Sequence, residues 1–253
     1  MIEEAWIQIN SQNGHILNQG CFTAYYGCQS LGIKTRFFKN AMEYFLGIQQ
    51  PGVSNKHLCV GGIDTLRQIF DLRGVQQPEV HSPHIHLPSY LRRVVTETTL
   101  GEVRALKPKF PCFIKPLVAD KTFTGYVVRS VPDLIRLRAL PDNFQLLISE
   151  VVKFVSEWRV FINRHAIVNV KNYIGDYSKT PKFEIFEYAI NDYSEQKAAY
   201  SLDFGGTDKG EPMLLEINDA FGIAPYGLEP VAYIKLLSER WEEICNTLSF
   251  CEE

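Results

Sequence analysis

Long apolar runs are missing from this chain of 253 residues, and no stretch approaches the roughly 20 residues that a membrane-spanning helix needs. The opening Met-Ile-Glu-Glu-Ala-Trp is acidic and lacks the basic-then-apolar pattern of an export signal, so a soluble, cytoplasmic protein is expected. Six cysteines stand at 21, 28, 59, 112, 245 and 251, but none forms a Cys-x-x-Cys pair. Zinc-ribbon spacing is thereby excluded, and free, mostly buried thiols are expected. Charge of one sign is also scarce. A net charge of −3 argues against a general binder of nucleic acid or membrane surfaces. There is no internal repeat, no Ser-His-Asp or Cys-His arrangement, and no Gly-x-x-x-x-Gly-Lys phosphate loop.

What is present is ordinary globular composition, 45% hydrophobic and 22% charged, in a length that suits one large domain or two modest ones. The first part alternates strand and helix signals. Ala5–Asn10 reads as a strand, 20–32 as a helix closing at Gly32, and Lys34–Phe38 as a strand. Leu58–Val60 follows as another strand, then a helix at Thr65–Leu72 with Asp64 as its N-cap. Such alternation suggests an α/β layer. Gln76–Pro88, rich in proline and histidine, reads as a linker. His81, His84 and His86 within it are ligand types for a transition metal, but only Glu79 lies near as an acid, and a solvated loop is expected. The later part is dominated by strands, at 111–116, 126–129, 145–150, 157–163 and 166–173. A last helix near 230–248 places Val231, Ile234, Leu237, Trp241, Ile244 and Leu248 on one face.

The chemistry concentrates in this later part. Residues 213–218 read Met-Leu-Leu-Glu-Ile-Asn. Strict alternation puts Met213, Leu215 and Ile217 on one face and Leu214, Glu216 and Asn218 on the other. Tyr200, Leu202 and Phe204 alternate with Ser201 and Asp203 in the same way. Asp203, Glu216 and Asn218 are hard oxygen donors of the kind that Mg²⁺ takes when it also holds phosphate. Lys115 ends the apolar strand Phe113-Ile114-Lys115-Pro116 and can reach phosphate as a point charge. The polar loop Lys121-Thr122-Phe123-Thr124-Gly125 can lay backbone N–H groups over phosphates. On the strand starting at Glu157, Glu157 shares a face with Arg159, whose guanidinium is a rigid fork for phosphate or carboxylate. Lys171 on the next strand is a further candidate cation. Together these groups match the charge inventory for a nucleoside triphosphate with Mg²⁺, where positioning and neutralisation are most of what phosphoryl transfer needs.

The order of these segments resembles the ATP-grasp superfamily. Leu215-Glu216-Ile217-Asn218-Asp219-Ala220-Phe221-Gly222 is similar to that family's closing Glu-x-Asn motif, with Asp203 where the family places its other acidic metal ligand. Ser149-Glu150-Val151-Val152-Lys153 followed by Glu157-Trp158-Arg159 resembles the hinge between the two grasp lobes. A narrower similarity, to the clade named for two arginines and a lysine, rests on Cys59-Val60-Gly61-Gly62-Ile63-Asp64, on Leu87-Pro88-Ser89-Tyr90-Leu91-Arg92-Arg93 and on the Lys115 and Lys121–Gly125 segments. The stretch Ser82-Pro83-His84-Ile85-His86 departs from it in being less acidic.

The resemblance implies an α+β ATP-grasp fold, at 89–253 with lobes at about 89–150 and 151–253, preceded by a small α/β domain at 1–88. It implies an ATP- and Mg²⁺-dependent carboxylate–amine ligase acting through an acyl-phosphate, on a small-molecule or peptide carboxylate and an amine co-substrate. Nucleotide would be held by Lys115, Lys121, Thr122, Gly125, Glu157 and the backbone near Glu150 and Val152. The metal would sit on Asp203, Glu216 and Asn218, and Arg159 and Lys171 would be catalytic. A nucleotide-binding module without turnover, or a phosphotransferase on the same scaffold, are the alternatives.

Overall fold

The computed structural model describes residues 2–106, 109–117, 122–210 and 212–246. Lys121, Leu248 and Cys251 lie outside them. The first layer is built from β1 (Glu4–Gln8), α1 (Gln19–Leu31), β2 (Lys34–Phe38), α2 (Ala41–Gly47), β3 (His57–Val60) and α3 (Ile63–Leu72). Its strands form an all-parallel sheet in the order β2-β1-β3. Helix α1 starts where the Asn18 side chain accepts from Cys21 N–H at 2.9 Å. It ends at Gly32, which takes the left-handed conformation (φ +67°) that a side chain would resist. Helix α3 begins earlier than the sequence predicts. Gly62 is its N-cap, no side chain caps it, and Asp64 lies in the first turn. Gln8 takes over part of the work, accepting from Gly62 N–H at 2.8 Å.

The predicted linker is structured. It carries a short helix, α4 (Pro83–His86), and leads to β4 (Val95–Thr99), α5 (Leu100–Leu106), β5 (Cys112–Pro116), β6 (Tyr126–Val128) and β7 (Gln145–Glu150). These strands make an antiparallel sheet in the order β4-β7-β5-β6. Period-two alternation assigns its faces. Cys112, Ile114 and Leu146 enter a core with Leu100, Val103, Leu134 and Leu137, while Phe113, Lys115 and Leu147 turn the other way. Residues 131–137 form a 3₁₀ helix.

The third sheet contains β8 (Phe154–Asn163), β9 (Ala166–Gly175), β10 (Ala199–Thr207) and β11 (Pro212–Asp219), ordered β11-β10-β8-β9 and wholly antiparallel. One face packs on α6 (Phe183–Asp192), a helix the sequence analysis did not identify. Phe186, Ala189 and Ile190 meet Val160, Ile162, Tyr200, Leu202 and Phe204 there. The other face has two fates along its length. Phe161 and Ala199 join the core of the first layer, and the remainder faces the β5 sheet.

Helix α7 (Pro230–Asn246) closes the chain among the described residues and is buried on several sides, through Tyr233, Ile234, Leu236, Leu237, Trp241 and Ile244. It lies in the same core as α1, β1 and β3. Where α1 and α7 cross, a Cβ on Gly27 would stand 2.3 Å from the Pro230 carbonyl oxygen. Arg240 of α7 is anchored by Asp219, with Nε and Nη2 at 2.8 and 2.7 Å from the two carboxylate oxygens. Lys197 adds a third contact to that carboxylate at 3.0 Å. No helix among the described residues is long and apolar enough to cross a membrane.

Two outcomes follow from these contacts. Gly27→Ala should lower stability by at least about 1–3 kcal/mol, the usual cost of overpacking, read from urea unfolding. Arg240→Ala leaves the largely buried Asp219 with Lys197 as its remaining cation and should cost about 1–3 kcal/mol in the same measurement.

Candidate active site

A cleft opens between the β4-β7-β5-β6 sheet and the upper part of the β11-β10-β8-β9 sheet. It consists of two adjoining cavities of about 380 Å³ each, sharing Lys115, Leu147 and Glu216. The first is a slot with apolar walls. Val95, Phe113 and Val127 line one side, Phe154, Tyr173 and Leu215 the other, and 148–152 closes the back. Glu150 and Val152 both lie in that hinge, and Glu150 Oε1 accepts from Val94 N–H at 3.0 Å.

The charged residues are placed by strand register. Glu216 on β11 stands opposite Asp203 on β10, Asp203 opposite Arg159 on β8, and Arg159 opposite Lys171 on β9. Four residues far apart in sequence thus form one row across four strands. Arg159 grips Asp203 bidentately, Nε to Oδ1 and Nη2 to Oδ2, both at 2.7 Å. Its remaining nitrogen donates to Ala224 O at 3.3 Å, and its guanidinium sits 4.6 Å from the Tyr226 ring centroid. Tyr226 in turn stacks on Tyr173 at 4.4 Å. Three of the Arg159 N–H groups are thus taken by protein acceptors, and the guanidinium holds the Asp203 carboxylate in place. Lys171 lines neither cavity.

Strict alternation fails on β11. The register slips between Asp203 and Phe204, pairing Asp203 with Glu216 but Phe204 with Leu214. This β-bulge shifts the phase by one residue. Leu214, expected on the face of Glu216, packs with Ile217 in the α6 core, and Leu215 turns into the cleft beside Glu216. β10 is central in its sheet, and Ser201 and Asp203 are buried.

Burial sets the electrostatics. It lowers Lys115 from the ordinary lysine range; the Glu216 carboxylate opposes this and Arg93 reinforces it. Burial raises the Asp203 carboxyl; Arg159 opposes this and Glu216 adds to it. Asn218 donates its amide to Asp203 Oδ2 at 3.3 Å. Two carboxylates and one amide oxygen on paired strands suit Mg²⁺ that keeps water or phosphate oxygens as its other ligands. They are not an all-protein cage. No group of three or more His, Cys, Asp or Glu among the described residues could hold a metal.

Of the remaining predicted positions, Glu157 lines the first cavity and Gly125 the second. A Cβ on Gly125 would come within 2.5 Å of the Phe113 ring and 3.0 Å of Lys115 Cβ, so glycine lets this segment lie against β5. Thr122 is exposed. Lys121 lies outside the described residues. Arg93 is the notable omission from the predicted set. It lines the first cavity and donates to Leu91 O at 3.0 Å and Leu214 O at 3.1 Å. The Arg92-Arg93 pair was visible in sequence, but which arginine turns inward was not; Arg92 is exposed.

The histidine cluster is corrected. His81 is buried, bonded through Nδ1 to the Tyr193 hydroxyl and stacked on His86 at 4.3 Å, and its stretch lines the second cavity. His84 pairs with Glu97 at 2.7 Å. These contacts order the stretch, while His84 Nδ1 is buried without a hydrogen-bond partner among the described residues.

Residues 90–236 match the model of an ATP-grasp domain, the second family of the clade named for two arginines and a lysine. The chain belongs to the ATP-grasp family. Solved structures of similar fold include a D-alanine–D-alanine ligase from Bacillus anthracis, with 14% identity, a TM-score of 0.60, and 98% of this chain and 99% of that chain covered. An ATP-grasp RimK domain protein from Sphaerobacter thermophilus DSM 20745 gives 11% identity, TM-score 0.56 and coverage of 94% and 99%. The macrocyclase MdnC from Microcystis aeruginosa MRC, bound to the precursor peptide MdnA, gives 12%, 0.53, and 92% and 98%. At these identities the likeness is one of fold. No curated protein matches the sequence.

Arg159→Ala would leave Asp203 buried without its partner and should destabilise the protein by about 3–5 kcal/mol, measured by urea unfolding. A pH dependence is also expected. Burial, with Lys197 and His86 adding to it, lowers the His81 pKa to about 4. Its stabilising contribution is complete above the unfolded value of about 6.5 and is lost as pH falls toward 4. His81→Asn should flatten thermal stability across that window.

Proposed function

We propose that the protein is an ATP- and Mg²⁺-dependent carboxylate–amine ligase that works through an acyl-phosphate. The observation that carries this reading is the in-register row Glu216–Asp203–Arg159, whose Glu216 shares the cleft with Lys115 while Asp203 and Arg159 are buried beside it. Family membership supports it, as do the named activities of the similar structures: a D-alanine–D-alanine ligase and a macrocyclase bound to its precursor peptide. Residues 1–88 form a small α/β domain in this reading, beside grasp lobes at about 89–150 and 151–253.

The adenine would lie in the slot between Phe113, Val127 and Leu215, against the hinge near Glu150 and Val152. Lys115, and Lys121 with the Thr122–Gly125 segment, would hold phosphates. Asp203, Glu216 and Asn218 would hold Mg²⁺, which when bound neutralises charge on the triphosphate. A substrate carboxylate oxygen then attacks the γ-phosphorus, and the bond to the β-phosphate oxygen breaks. ADP leaves and an acyl-phosphate remains. The amine attacks the acyl carbon, phosphate departs, and the amine loses a proton. Lys115 balances charge on the transferring group. Arg159 acts as a positioning residue, fixing the Asp203 carboxylate. The apolar walls exclude water, which would otherwise hydrolyse the acyl-phosphate.

The test is ADP release with ATP, Mg²⁺ and a panel of amino acids and peptides, alongside thermal shifts. ATP with Mg²⁺ at about 100-fold over Kd should stabilise the protein by about 2.7 kcal/mol. Glu216 is exposed, so Glu216→Ala should leave the melting temperature of the free protein unchanged while cutting ADP release by about 10²-fold or more. A nucleotide-dependent shift without ADP release for any substrate would identify a binding module instead.

A further inference from the structure

Tyr226 is held against the preference of its own backbone. It stands in the turn from Pro225 to Leu228, closed by Leu228 N–H donating to Pro225 O at 2.7 Å. Both central residues have positive φ, +42° at Tyr226 and +78° at Gly227. Mirror-image turns of this kind favour Gly, Asn or Asp at their centre, and a bulky aromatic there strains the backbone. Gly227 meets that preference and Tyr226 does not. The surroundings fix the turn in place. Ile223 O accepts from the Tyr233 hydroxyl of α7 at 2.6 Å, Ala224 O accepts from Arg159, and Pro225 and Leu228 are buried. Strain of this sort persists only where neighbours over-determine it, and it gathers at functional sites.

What the strain secures is the ring. The Tyr226 ring centroid lies 4.6 Å from the Arg159 guanidinium carbon, and the ring stacks on Tyr173 at 4.4 Å with the planes 8° apart. Both neighbours end on the same carboxylate. Arg159 donates to the two oxygens of Asp203, and the Tyr173 hydroxyl donates to Oδ2 at 3.4 Å. A single ring thus braces two donors to one buried acid, and that acid stands in register with Glu216.

We propose that Tyr226 is a positioning residue for the metal centre. Its ring, pressed into place by a strained turn, holds Arg159 and Tyr173 so that Asp203 keeps the orientation in which it and Glu216 can share Mg²⁺. The proposal rests on the ligase reading. Both contacts are made by the ring, so the ring and not the hydroxyl carries the effect.

The test reads metal-dependent nucleotide binding and stability apart from turnover. A non-hydrolysable ATP analogue is titrated calorimetrically into the protein, once with Mg²⁺ and once with EDTA. Tyr226→Asn should cut the Mg²⁺ enhancement of binding by about tenfold, the usual scale for losing a group that orients a metal ligand. Binding without metal should be largely unchanged. The melting temperature of the free protein should stay within about 4 °C, because the relaxed turn offsets the lost ring contacts. Tyr226→Phe keeps the ring and should restore the Mg²⁺ response. A full Mg²⁺ response in Tyr226→Asn, or its loss in Tyr226→Phe, overturns this proposal alone. So does a large fall in melting temperature or an equal loss of metal-free binding in Tyr226→Asn, either of which makes the residue merely structural. A wild-type protein that binds no analogue, or binds it without regard to Mg²⁺, overturns the ligase reading and this proposal with it.

Discussion

The cleft depends on one buried contact, the bidentate ion pair between Arg159 and Asp203. Two charges have been taken out of water, and only close geometry with further hydrogen bonds offsets that cost. The geometry is supplied by register. β8 and β10 are paired so that both residues fall at the level where the sheet leaves the first-layer core and begins to face the cleft. Ala224 and the stacked Tyr226–Tyr173 rings then hold the guanidinium from the other side. With Asp203 fixed, Glu216 on the neighbouring strand is left facing open space.

A bulge completes what register starts. Two regular strands would set Leu214 beside Glu216 and send Leu215 inward. One extra residue on β11 instead places Leu214 in the core and gives the cleft both an apolar contact and a carboxylate from adjacent positions. A strand serving a core and a polar site needs such a change of phase, because period two alone cannot put neighbours on one face.

Where local periodicity governs, the sequence was sufficient. The proline-bounded run at 111–116 and the apolar run at 145–150 identified both strands, and the apolar stripe of α7 identified its buried positions at Ile234, Leu237, Trp241 and Ile244. The acidic pair on β10 and β11 was legible for the same reason. What escaped depends on partners distant in the chain. The bulge exists only in the pairing of β10 with β11. Arg93 turns inward because the Leu214 carbonyl awaits it, while Arg92 beside it does not. The histidine stretch looked like a solvated loop because its anchors, Tyr193, Lys197 and Glu97, come from other elements. Helix α6 carries only a short apolar stripe and no side-chain cap, so its packing on β10 decides it rather than any local signal.

Helix α7 and helix α1 fit together through a missing side chain, Gly27 receiving the Pro230 carbonyl. During synthesis this has a cost in time. The apolar flank of α1 and β3 is translated well before the helix that covers it, and both antiparallel sheets are made in between. Until then the nascent chain carries an uncovered hydrophobic surface. Such a surface invites chaperone binding or association with a neighbouring nascent chain. The contacts joining these two helices are also among the longest-range in the molecule, which places their docking late in folding.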